Sequence, residues 1–126
     1  MARSKTPGVV HIPWYATGFR GDAFAEALAE FAPIAMRYGA LDYQVFRSRE
    51  DRYRFLQIAT FETKLDWERF WEGDEAVAFR VNHSGWYQVP VLPVWHDRLA
   101  AGSLADEAAE AEEATTASDA GSPAAA

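Results

Sequence analysis

The hydrophobic pattern changes period several times along the chain, and that alternation restricts the fold more than any other feature. Residues 9–15 (VVHIPWY) concentrate β-branched and aromatic side chains and read as a strand. Thr17-Gly18 and Gly21-Asp22 punctuate a turn. From Asp22 the apolar residues fall at helical steps (Phe24, Leu28, Phe31, Ala35, Tyr38), with Glu26, Glu30 and Arg37 on another stripe. Asp22 is placed to cap this helix and Gly39 to supply its left-handed stop. Pro33 removes the amide that would bond to Ala29, so the helix is expected to kink or split there.

Leu41, Tyr43 and Val45 alternate with Asp42, Gln44 and Phe46 in a second strand. Arg47 to Arg52 form a polar turn, and residues 54–61 (RFLQIATF) make the third strand of a hairpin. Thr63, with Asp66 three residues later, resembles a capping box, and Trp67, Phe70 and Trp71 form one helical face after it. Gly73-Asp74 closes that helix and opens another, expected from Glu75 to His83. Residues 89–95 (VPVLPVW) are expected as the last strand, confined to an edge or bulge by Pro90 and Pro93.

The order βαββαβ is the split βαβ, ferredoxin-like α+β arrangement: an antiparallel four-stranded sheet with both helices on one face. Such a sheet leaves its other face bare. The chain carries eighteen aromatic residues, a load large enough that both faces are expected to be covered. A second copy of the chain is the expected cover, which predicts a homodimer.

Charge divides unevenly. Residues 102–126 carry six acidic residues and no Lys or Arg, leaving thirteen acids against twelve bases in the rest of the chain. The domain at 8–100 is therefore nearly neutral, and residues 102–126 read as a disordered, acidic, Ala- and Glu-rich tail. A near-neutral domain argues against nucleic acid or an anionic membrane surface as a partner. No apolar run approaches the roughly 20 residues of a membrane span. The chain has no cysteine, which removes disulfides and thiolate chemistry and suits a reducing compartment, so a cytoplasmic protein is expected. Gly-rich phosphate loops and GxSxG elbows are absent from the sequence. His11, His83 and His96 lack local metal-ligand spacing, so no metal site is expected and one would need long-range convergence.

The run GALDYQVFRSREDRYRFLQIATFETKLDWERFWEGDEAVAF is similar to the antibiotic biosynthesis monooxygenase (ABM-like) family. The elements that carry the resemblance are Gly39, Tyr43, the charged turn Arg47 to Arg52, Phe61-Glu62, Phe70-Trp71 and Phe79. The resemblance implies a homodimer whose two sheets close into a dimeric α/β barrel, with a pocket in each subunit between sheet and helices. It also implies an oxidoreductase that needs no metal or flavin. Such a monooxygenase would oxidise a small hydroxylated aromatic (a phenol, hydroquinone or anthrone) with molecular oxygen. Two alternatives stand beside it: a non-catalytic dimeric module that uses the same pocket to bind or sequester an apolar small molecule, and a haem-binding or haem-degrading protein.

His83 lies four residues after Phe79, a place resembling that of the iron-ligating histidine of haem-degrading relatives. Its wheel position points away from the Val77, Val81 stripe. His11 occupies the sheet face opposite Val10 and Ile12, where those relatives carry an asparagine; a place in the dimer interface is the competing reading. His83 and His11 are the candidate catalytic residues, with the rest of the candidate site formed by Trp71, Trp86, Asn82, Tyr43, Phe79 and Gln57. Trp71, Trp86 and Phe79 would line a slot for an aromatic ring. Asn82, Tyr43 and Gln57 would present polar ends to its oxygens. His96 is expected to be exposed.

Overall fold

The computed structural model describes residues 6–105 and residue 111. Four strands and three helices follow one another as β1 (Gly8–Tyr15), α1 (Gly21–Phe31), β2 (Ala40–Arg47), β3 (Arg54–Phe61), α2 (Lys64–Trp71), α3 (Asp74–Asn82) and β4 (Val94–Asp97), with a 3₁₀ segment at Ala32–Tyr38. The sheet is antiparallel throughout, in the order β2-β3-β1-β4. This is the expected ferredoxin-like α+β fold. Most of the acidic tail expected at 102–126 lies outside the described residues. Among the described residues no helix is long and apolar enough to cross a membrane.

Strand β1 sets the layering. Val10, Ile12 and Trp14 point into the core, whereas Val9, His11, Pro13 and Tyr15 take the other face, as a two-residue period requires. Pro13 sits in a strand with neighbours on both sides, yet β4 pairs only with Gly8 to His11. One side of β1 is therefore open at Pro13, the place where a residue without an amide proton is tolerated. Gly8 lies under the indole of Trp95, and a Cβ built there would collide with the ring.

Pro33 divides the first helical segment as its chemistry dictates. The α-helix ends at Phe31 and the chain tightens into a 3₁₀ turn through Tyr38. Gly39 closes it at φ 95°, the left-handed stop. The start differs from expectation. Asp22 lies in the first turn of α1, the N-cap position falls on Arg20, and no side chain caps it. Thr63 does cap α2, accepting the Asp66 amide at 3.1 Å.

Two further expectations are corrected. The last strand begins at Val94 rather than residue 89, because Pro90 and Pro93 deny the ladder its donors. The preceding segment instead crosses the C-terminal end of β1. There the Thr17 amide donates to Trp86 O, and the Gln88 amide donates to Tyr15 O, each at 2.8 Å. On α3 the buried stripe is Ala76 and Phe79, while Val77 and Val81 are exposed. His83 therefore continues the buried stripe, one helical turn beyond Phe79.

The core between sheet and helices is aromatic. Trp14 lies at its centre, 5.5 Å from Phe24, 5.8 Å from Phe79 and 5.0 Å from Tyr87 between ring centroids. Phe31 stacks on Phe79 at 4.3 Å with the planes 10° apart, and on Phe70 at 5.3 Å. Truncating such a ring leaves a cavity that packed neighbours cannot fill, so Phe70→Ala is expected to cost about 3–5 kcal/mol. Thr63→Ala, which removes only the cap, is expected to cost about 1 kcal/mol. Urea denaturation of both variants checks the order.

Candidate functional site

A groove of about 270 Å³ opens between α1 and α3, lined by Ala27, Glu30, Phe31 and Ile34 on one side and Glu75, Ala78, Phe79, Asn82 and His83 on the other. Its floor is the stacked pair Phe31 and Phe79. It exists because α1 and α3 each turn one ring inward at the point where they meet.

His83 stands at one end of the groove. Its Nδ1 lies 2.7 Å from Phe79 O. A carbonyl can only accept, so Nδ1 carries a proton, and in the neutral ring the lone pair is on Nε2. The ring is held by Phe79 at 4.4 Å and by Trp86, nearly perpendicular to it, at 4.8 Å. The Arg20 guanidinium covers Trp86 at 4.9 Å, so the loop after α3 is tied back to the start of α1.

Glu75, at the other end, accepts the Tyr38 hydroxyl proton at 2.5 Å and lies 3.6 Å from Arg37. The Tyr38 hydrogen bond, with a smaller contribution from Arg37, holds the Glu75 carboxyl below its usual range, and the same bond raises Tyr38. Glu30 adds a second carboxylate. The groove thus has an apolar floor, an imidazole at one end and acidic groups along its walls.

The structure gathers His83, Asn82 and Phe79 in this groove and sets Trp86 against His83. The remaining candidates lie elsewhere. Trp71 is half-buried between Trp14 at 6.0 Å and Trp67 at 5.3 Å, with Arg80 over its face at 4.0 Å. Tyr43 is exposed on β2, opposite Ala59. Gln57 is wholly buried and accepts the Trp14 indole proton at 3.0 Å, while its Nε2 has no partner among the described residues. An unmet amide donor in a dry interior costs roughly 1–3 kcal/mol. It marks a point where a water or a ligand oxygen would be favoured.

His11 lies on the opposite face of the sheet from the helices, so it and His83 share no site within one protomer. Its ring centroid is 4.3 Å from that of His96, and both line a second groove of about 440 Å³. His96 is half-buried rather than exposed, a correction that follows from the β1–β4 register. Sequence reasoning also missed Glu30, Phe31 and Glu75 as groove residues. Phe31 was legible as part of the apolar stripe of α1, but which helix it would face was not.

A carboxyl lowered in the folded state stabilises the fold above its unfolded pKa of about 4.5, and loses that contribution as pH falls through the folded value. Glu75→Gln is therefore expected to flatten the acid arm of the stability–pH curve below about pH 4.5. Thermal melts of both proteins between pH 3 and 7 read this directly.

No protein-family model matches the sequence, and no curated protein matches it. Solved structures do. One named "Putative antibiotic biosynthesis monooxygenase from Nitrosomonas europaea" superposes with a TM-score of 0.69 at 18% identity, covering 82% of this chain and all of its own. Structures named in the same way from Bordetella bronchiseptica and Chloroflexus aurantiacus give TM-scores of 0.66 and 0.63 at 16% and 12% identity. They cover 75% and 79% of this chain, and 99% of their own chains in both cases. The chain has the fold of these ABM-named structures.

Proposed function

We propose that the domain is a cofactor-independent oxygenase that acts on a small hydroxylated aromatic in the groove between α1 and α3, with His83 as the base. The observation that supports this most is the pinned imidazole. Its Nδ1 proton is committed to Phe79 O, so the lone pair on Nε2 is available beside an aromatic floor.

In this reading the substrate ring lies on Phe31 and Phe79, with Asn82 placed to donate to one of its oxygens and Trp86 closing the side. His83 Nε2 takes the hydroxyl proton. The anion is then electron-rich enough to reduce oxygen itself. For an anthrone-like ring, a CH₂ becomes C=O, one oxygen atom enters the product and the other leaves as water. All four electrons come from the substrate, so no external reductant is needed. Tyr43, Trp71, Gln57 and His11 play no part in this site.

Haem does not fit this arrangement. The rings of Trp14, Phe24, Phe31 and Phe79 occupy the middle of the layer between sheet and helices. His11, the polar residue on the strand where haem-degrading relatives keep asparagine, is across the sheet from His83. The same filled interior favours a second reading, in which the groove binds an aromatic without turning it over, because an open groove excludes water poorly.

The oxygenase is placed in the cytoplasm and works as a homodimer joined through the open sheet face. Phe46 and Val94 are half-exposed there beside Leu56 and Ile58. Sedimentation is expected to give twice the 14.1 kDa chain mass, and Phe46→Glu to shift it towards one.

Oxygen uptake with hydroquinones and anthrones tests the chemistry. His83→Ala is expected to lower kcat by about 10²–10⁴, the usual contribution of a positioned base. Loss of folding is checked by the melting curve. Tight aromatic binding with no oxygen consumption would establish the binding module instead.

A further inference from the structure

Two tight turns interlock beside the groove, one entering α1 and one leaving α3. In the turn at 17–20 the Arg20 amide donates to Thr17 O at 3.0 Å, and in the turn at 83–86 the Trp86 amide donates to His83 O at 2.9 Å. Each turn holds its third residue at positive φ, Phe19 at 67° and Gly85 at 89°. Glycine adopts that conformation freely, whereas an aromatic residue is strained by it. The Phe19 ring is wholly exposed, so burial does not offset the strain. Hydrogen bonds hold it instead: the turn's own, and one from the Phe19 amide to the Tyr53 hydroxyl at 3.3 Å.

The first turn grips the second. The Thr17 amide donates to Trp86 O and the Thr17 hydroxyl to Gly85 O, each at 2.8 Å. The Arg20 guanidinium covers the Trp86 ring at 4.9 Å, and among the described residues it pairs with no carboxylate. The contact that places this cation is therefore the indole.

His83 depends on that grip. It is the C-cap residue of α3, where a helix is least constrained by its own ladder. Its ring has one hydrogen bond, from Nδ1 to Phe79 O, and two ring neighbours, Phe79 and Trp86. Phe79 is locked in the core, stacked on Phe31. Trp86 stands on a loop, half-buried, and its seat is made by Thr17 and Arg20.

We propose that Arg20 and Thr17 are positioning residues for His83, acting through Trp86: by seating the indole they keep the imidazole on Phe79 O. Its catalytic meaning rests on the reading of His83 as the base, so the deciding measurement observes the imidazole itself.

Nuclear magnetic resonance of the full chain, labelled at histidine, makes that measurement, with His83 assigned by the signals lost in His83→Gln. Arg20→Gln is expected to shift the His83 ring signals in the same direction as Trp86→Leu. It is also expected to lower kcat for oxidation of a hydroquinone by about tenfold with KM little changed, since misplacing a reacting group costs rate before affinity. Arg20→Lys keeps a cation over the indole and is expected to restore most of both. Thr17→Val, which removes only the hydroxyl, is expected to act in the same direction and less. In the Trp86→Leu background Arg20→Gln is expected to add nothing. Arg54→Gln removes the comparable contact over Tyr15, at 5.4 Å, and is expected to leave His83 unmoved. Melting curves establish folding; if Trp86→Leu is misfolded, the contrast between Arg20→Gln and Arg20→Lys decides. Unshifted His83 signals in folded Arg20→Gln overturn the proposal. So does an Arg20→Gln shift that persists without Trp86, or one that Arg20→Lys reproduces in full. Shifted signals in a protein that consumes no oxygen uphold the positioning role and overturn the oxygenase reading alone.

Discussion

The packing of aromatic rings around Trp14 is the constraint on which the rest of this structure depends. A ferredoxin-like sheet has one covered face, and here rings fill much of it, beside Val10, Ile12 and Leu28. Trp14 reaches from the central strand to Phe24 on α1, Phe79 on α3, Trp71 on α2 and Tyr87 in the loop beyond. One indole thus ties every helix to the sheet. Its single polar atom is satisfied by the Gln57 Oε1, although the Nε2 of the same amide has no partner among the described residues.

That filling moves the chemistry outward. A deep slot between sheet and helices would need several of these rings to be smaller. The rings leave an open groove on the helical layer, and Phe79 is its boundary: one of its contacts is with Trp14, and others are with Phe31 and His83. The backbone carbonyl of the same residue fixes the His83 tautomer. Phe79 therefore joins the stability of the core to the geometry of the candidate base.

Much of the fold was legible because it rests on local rules. The third strand falls on residues 54–61 as its composition indicates, Pro33 divides the first helix, and Gly39 and Thr63 act at the termini where their backbone and hydroxyl chemistry place them. The candidate site was less legible. His83, Asn82 and Phe79 come together, yet Trp71, Tyr43 and Gln57 point into other environments. Residue type and helical spacing show that a side chain is apolar or polar, and not which neighbour it meets. The wheel of α3 misled for the same reason: Val77 and Val81 are apolar but exposed, and Ala76 with Phe79 carries the burial.

The sequence by itself determined the order of strands and helices, the helix stops and the one-sided character of the sheet, because period, proline, glycine and capping residues act within a few positions. Tertiary structure alone decided the pairing register and the way α1 meets α3. Register brings His11 against His96 although 84 positions separate them in sequence. Helix packing brings Glu30 and Phe31 opposite His83. Both are relations between distant segments, set by how whole faces fit together.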